Sequence, residues 1–127
     1  PCKKLILLDA CHSGQSGYNI LDLASVKALN VNQAVEELIG DQAGVTVMTS
    51  SSGKEFSYEN ARWKHGAFTK GILEGLNGRA DYNRDELVSL LELNLYVTER
   101  VKELTRGRQH PYTPINLFGD IPLFVLE

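Results

Sequence analysis

Leu5-Ile6-Leu7-Leu8-Asp9-Ala10-Cys11-His12-Ser13-Gly14 is the stretch on which the reading of this chain turns. Four apolar residues in a row have the pattern of a strand buried on both faces, as in a parallel sheet covered by helices. A polar, glycine-bearing loop begins at Asp9. Cys11 therefore falls where a strand ends, the edge of an open parallel sheet at which ligands gather. A thiol there is a candidate nucleophile, and Asp9, two residues earlier, is a candidate for reading substrate. The plainer alternatives are a buried structural thiol and an acid that hydrogen-bonds backbone at the strand end.

Outward from this stretch, Asn32 to Ile39 reads as a helix, with Ala34 and Leu38, Val35 and Ile39 as its apolar stripe and Gly40 as its stop. Val45 to Thr49 reads as a second strand. Gly66 to Leu76 has a helical pattern with Phe68, Ile72, Leu73 and Leu76 on one side, ended by Asn77-Gly78. Ser89 and Glu92 form a capping-box pattern that opens a helix to about Leu104, with Leu93, Val97, Val101 and Leu104 as its stripe. Ile121 to Leu126 reads as a final strand. Residues 12–30 and 50–64 read as long loops. The alternation of strands and helices is an α/β pattern. Three strands are few for two layers of helices, so further strands are expected upstream. Residues 1–127 are read as the C-terminal part of a larger domain.

The chain has 127 residues, a formal net charge of −3, 43% hydrophobic and 23% charged residues, values ordinary for a globular domain. No basic cluster stands out, which argues against nucleic acid as a partner. No apolar run is long enough to span a membrane, and the first residues carry no signal-peptide pattern. No membrane association is expected, and a cytoplasmic location is. Cys2 and Cys11 bracket the first strand, roughly 30 Å apart along extended chain and beyond disulfide reach. Without CxxC spacing they do not suggest zinc, and no metal site is expected. The glycine-rich and lysine motifs of phosphate-binding loops are absent, which ranks a nucleotide-binding domain low.

Together with Ser50-Ser51-Ser52, Phe56-Ser57-Tyr58-Glu59, Gly66-Ala67-Phe68-Thr69 and Gln109-His110-Pro111, the Asp9–Gly14 motif resembles the nucleophile region of caspase-like cysteine peptidases. The metacaspase and bacterial caspase-like branch is the nearest. The animal caspase form is Q-A-C-[RQG]-G, from which this chain departs with Asp9 for the glutamine and His12-Ser13 before the glycine. The resemblance implies a caspase-like three-layer α/β fold, a mostly parallel sheet flanked by helices. It implies a cysteine endopeptidase acting on protein or peptide substrates through a Cys-His dyad, with Cys11 as nucleophile and its backbone N–H as an oxyanion donor. In such enzymes the histidine lies about 50 residues before the cysteine. His12, His65 and His110 are not assigned as the base. The chain is thus expected to be competent only with its N-terminal portion, as a covalent segment or a separate chain carrying the catalytic histidine.

Asp9 matches the acid that, in metacaspases, lines the pocket for arginine or lysine. Phe56-Ser57-Tyr58-Glu59 resembles the caspase segment that pairs with substrate as an added strand, and Glu59 stands where caspases place an arginine for substrate aspartate. Asp9, Ser57, Tyr58 and Glu59 are therefore the candidate substrate-binding residues, and cleavage after Arg or Lys is the expected specificity. The alternative is an inactive caspase-like scaffold or regulatory domain. If cleavage follows basic residues, Lys27 is a candidate self-cleavage site; an ordinary surface lysine is the plainer and favoured reading. Asp81, Asn83, Asp85 and Glu92 share part of the spacing of an EF-hand loop, but Glu86 stands at the sixth position, where the turn calls for glycine. No cofactor is expected. Calcium activation, common among metacaspase-like enzymes, cannot be assigned to a residue.

Overall fold

The computed structural model describes residues 3–9, 44–50, 66–113 and 120–127. Two strands, β1 (Lys4–Leu8) and β2 (Val45–Thr49), pair in parallel, with Lys4 opposite Val45 and Leu8 opposite Thr49. Side chains alternate across β2, so Met48 joins the main core while Val47 joins Leu8 and Val45 in a second cluster on the other face. Residues 46–50 are all buried, as a strand covered on both faces requires. The β2 bounds agree with the sequence pattern. In β1 the expectation of a fully buried strand fails: Ile6 and Leu7 are 41% and 42% exposed. Among the described residues β1 pairs along one edge only, with β2.

Two helices cover the Met48 face. The first, α1 (Ala67–Glu74), starts after the extended Gly66. It passes into one wider turn, Gly75–Arg79, in which Gly78 at φ 98° breaks the helical geometry. Asn77-Gly78 is thus the stop that the sequence suggests. The inward face is Phe68, Gly71, Ile72 and Gly75, all buried. The sequence pattern groups Leu73 with that side, but it is 53% exposed, because it lies about 140° around the helix from Phe68. Glycine matters at position 75. A Cβ there would lie 2.7 Å from Leu93 Cδ1 and 3.2 Å from Tyr96 Cδ1, so α1 and the second helix approach through a side chain's absence.

The second helix, α2 (Leu90–Leu104), has all of its first N–H groups accounted for. Leu90 N–H donates to the Ile121 carbonyl at 2.8 Å, Leu91 N–H to Asp120 Oδ1 at 3.0 Å and Glu92 N–H to Ser89 Oγ at 3.3 Å. Glu92 Oε2 accepts from Ser89 N–H at 3.0 Å, which completes the capping box. Leu93, Val97 and Val101 are fully buried, and Leu104 packs against them from a half-buried position. A short strand, β3 (Leu87–Ser89), precedes α2 and pairs antiparallel with β4 (Pro122–Val125), through a bulge between Val88 and Ser89. The sequence pattern shows no strand at β3. The final strand is two residues shorter than expected and joins β3 rather than the parallel pair. The architecture is α/β, with helices laid on a parallel pair.

The α1–α2 contact is closed on its solvent side by Glu74. Its carboxylate accepts from Arg100 Nε at 2.6 Å and Nη2 at 3.3 Å, a two-pronged contact, and from Tyr96 Oη at 3.0 Å. Lys70, one turn earlier, lies 3.0 Å away. Arg100 also donates to Glu103 at 2.7 Å. Arg100 above all holds the Glu74 carboxyl down at about 2, from an ordinary 4.5, against the opposing pull of burial. A depressed folded-state value means this stabilisation is present above the unfolded value and is lost as pH falls through the folded one. Acid titration of unfolding should therefore show stability falling from near pH 4.5 toward pH 2, with a shallower slope in Glu74→Gln. Loss of the cap in Ser89→Ala should lower stability by about 0.5–2 kcal/mol in urea unfolding.

Candidate functional site at the strand edge

The in-register pairing of β1 and β2 brings both strands to an end at the same edge. Ser50 N–H donates to the Leu8 carbonyl at 2.9 Å, so Asp9 leaves β1 beside Ser50 leaving β2. On the far side of β2, Thr49 makes an antiparallel bridge with Tyr112: Thr49 N–H donates to the Tyr112 carbonyl at 2.8 Å and Tyr112 N–H to the Thr49 carbonyl at 3.1 Å. Gln109 is fully buried and its Nε2 donates to the Ser50 carbonyl at 2.7 Å. Gln109 N–H in turn donates to Thr105 Oγ1, which itself donates to the Val101 carbonyl. The end of β2 is thus tied to the end of α2 by a chain of buried hydrogen bonds. Buried polar groups this well partnered are rigid elements of a fold.

Asp9 is exposed, and its Oδ2 accepts from Thr69 Oγ1 at 2.7 Å across 60 residues of sequence. Thr69 lies in the first turn of α1, a turn that has no acidic residue of its own. The distance is that of a well-formed O–H···O hydrogen bond. Neither Thr69 nor Gln109 received a role from the sequence, although both lie in segments that carry the family resemblance. A hydroxyl three residues after Gly66, in the first turn of a helix, is the local signal, and it does not reveal a partner just past the end of β1.

Cys11, Ser57, Tyr58 and Glu59 lie outside the described residues, as do His12, Lys27, His65 and the helix expected at 32–39. Asp9 is described and stands at the predicted edge. His110 is exposed and follows the buried Gln109. The acidic loop folds on itself. Asp81 accepts from the N–H groups of Asp85 and Glu86, Asp85 from that of Leu87, and Glu92 Oε1 from those of Tyr82 and Asn83. Glu86 adopts φ 63°, the left-handed conformation for which glycine is preferred. Among the described residues no group of three or more His, Cys, Asp or Glu side chains is placed to hold a metal ion. No helix among them is long and apolar enough to cross a membrane.

A strand-end acid ahead of a cysteine, on a parallel pair backed by helices, agrees with what a comparison of the sequence with protein families finds. The family model of the caspase domain matches residues 2–120. The chain belongs to the caspase domain family. That family accounts for the α/β architecture and makes this domain one of the cysteine peptidase type. No curated protein and no solved structure matches the chain. In this caspase-family domain the buried tie at the end of β2 is open to measurement. Gln109→Leu keeps much of the volume and removes the bond to the Ser50 carbonyl. It should lower stability by about 1–3 kcal/mol in urea unfolding.

Proposed function

We propose that this chain is the nucleophile-bearing part of a cysteine endopeptidase of the metacaspase type, which cleaves proteins or peptides after Arg or Lys. The observation that supports it best is the position of Asp9: exposed at the carboxyl edge of β1, its carboxylate held, two residues before Cys11. A carboxylate at that edge suits a cationic side chain and repels an acidic one. Arginine gains most, because its planar guanidinium can meet both carboxylate oxygens at once. Glu59 adds a second negative charge from the segment that resembles the substrate-pairing strand, with Ser57 and Tyr58 beside it in sequence.

Chemically, the Cys11 thiolate attacks the carbonyl carbon of the basic residue itself. The carbonyl oxygen becomes an oxyanion, for which backbone N–H groups are the stabilising donors. Collapse breaks the C–N bond, the leaving amine takes a proton, and a thioester acyl-enzyme remains. Water then adds to the thioester and releases the carboxylic acid and the thiol. A thiol is mostly protonated at neutral pH, so a histidine base is needed. It is proposed to come from an N-terminal segment or a separate chain. A reducing cytoplasm suits a nucleophile that must stay a free thiol.

The test is hydrolysis of fluorogenic peptides by the full-length protein. Peptides ending in Arg or Lys should be cleaved, and Cys11→Ala should abolish cleavage. Asp9→Asn should lower kcat/KM on the Arg peptide by roughly 30-fold or more, as when one member of a close charge pair is removed. Undiminished activity in Cys11→Ala would reject the nucleophile. A preference for Asp-terminated peptides would reject the basic specificity, and a folded, histidine-complete protein with no activity would favour the scaffold alternative.

A further inference from the structure

Asp9 is exposed, yet its carboxylate is gripped from a distant element. Thr69 Oγ1 donates to Asp9 Oδ2 at 2.7 Å. The hydroxyl sits on a stiff support. Ala67 and Phe68, immediately before Thr69, are 0% and 2% exposed, and Ile72 on the next turn is 7% exposed. Met48 of β2 belongs to the same core cluster. Threonine is β-branched and in a helix is largely confined to two χ1 rotamers, so once the helix is placed its Oγ1 has few positions to occupy. Asp9, by contrast, is the first residue after a strand, in a stretch that the sequence reads as loop.

We propose that Thr69 is a positioning residue for specificity: it fixes the Asp9 carboxylate so that the pocket is already arranged when the cationic side chain of a substrate arrives. This rests on the reading of Asp9 as the acid that recognises Arg or Lys. A free aspartate at a strand end populates several rotamers, and binding a cation would require ordering it, which subtracts from affinity. A hydroxyl on a buried helix orders it in advance. The hydroxyl also brings no charge of its own, so Thr69 orients the carboxylate without competing electrostatically with the substrate. A structural staple between β1 and α1 would explain the bond equally well if it served stability alone, and the two roles differ in what they do to charge recognition.

The experiment compares paired peptides in the full-length protein, one with Arg at the cleaved position and one with citrulline, its neutral counterpart of nearly the same shape. The readout is the ratio of their kcat/KM values in wild type, Thr69→Val, Thr69→Ser and Asp9→Asn. The inference expects Thr69→Val to lower this ratio by about tenfold, mainly through KM on the Arg peptide, with Thr69→Ser restoring it. A ratio unchanged in Thr69→Val, when Asp9→Asn collapses it, would overturn the role of Thr69 and leave the role of Asp9 standing. Equal losses on both peptides in Thr69→Val would likewise overturn it, as a purely structural lesion. A ratio unchanged in Asp9→Asn would overturn the reading of Asp9 and with it the inference. Should Thr69→Val fold poorly, Thr69→Ala is read by the same ratio.

Discussion

The parallel, in-register pairing of β1 with β2 is the constraint on which the site depends. Because Leu8 stands opposite Thr49, both strands end together and their next residues, Asp9 and Ser50, share one edge. A slip of one residue in such a pairing would exchange the two faces of a strand. Here it would turn Met48 away from the helices and Val47 toward them. The two faces of β2 are chemically committed, Met48 to the helical core and Val47 to the smaller cluster with Leu8 and Val45. Burial thus sets the register, and the register sets which polar residues meet at the edge.

That edge is then held from behind by helices whose own packing is specified in unusual detail. Gly75 allows α1 to lie close against Leu93 and Tyr96, and Glu74 locks the same contact to Arg100 at the surface. A buried face of Phe68 and Ile72 alone would permit some sliding, since apolar contact is not directional. The two-pronged Arg100 contact is directional. Together they fix where the first turn of α1 lies, and so where the Thr69 hydroxyl is delivered. The end of α2 does the corresponding work for β2, through Val101, Thr105 and Gln109 to the Ser50 carbonyl.

Local chemistry made part of this legible in sequence. The capping box of Ser89 and Glu92 involves residues three apart, and the start of α2 follows from it. The Val45–Thr49 run, β-branched and apolar, announced β2. The Asp9–Gly14 motif pointed to the family, and residues 2–120 match it. What sequence could not show depends on partners far away along the chain. β3 is only three residues long and exists because β4 pairs with it. The exposure of Ile6 and Leu7, neighbours that point to opposite faces of β1, depends on what covers those faces, while their apolar character alone reads as burial. The Thr69–Asp9 bond spans 60 residues and leaves no trace in either local pattern.

The kind of group that holds Asp9 bears on the recognition of a basic residue proposed for it. A lysine or arginine in place of Thr69 would hold the carboxylate more strongly, but under the proposed specificity it would compete with the basic side chain of the substrate. A backbone N–H would hold it without charge, yet its direction is set by the main chain and cannot be tuned by one side chain. A threonine hydroxyl on the first turn of a helix lies between these cases, since it is neutral, directional and backed by a buried core. It also places the carboxylate near the positive end of α1, where negative charge is favoured. Under the role proposed for Asp9, a neutral donor such as Thr69 orders the acid without itself adding a positive charge beside it.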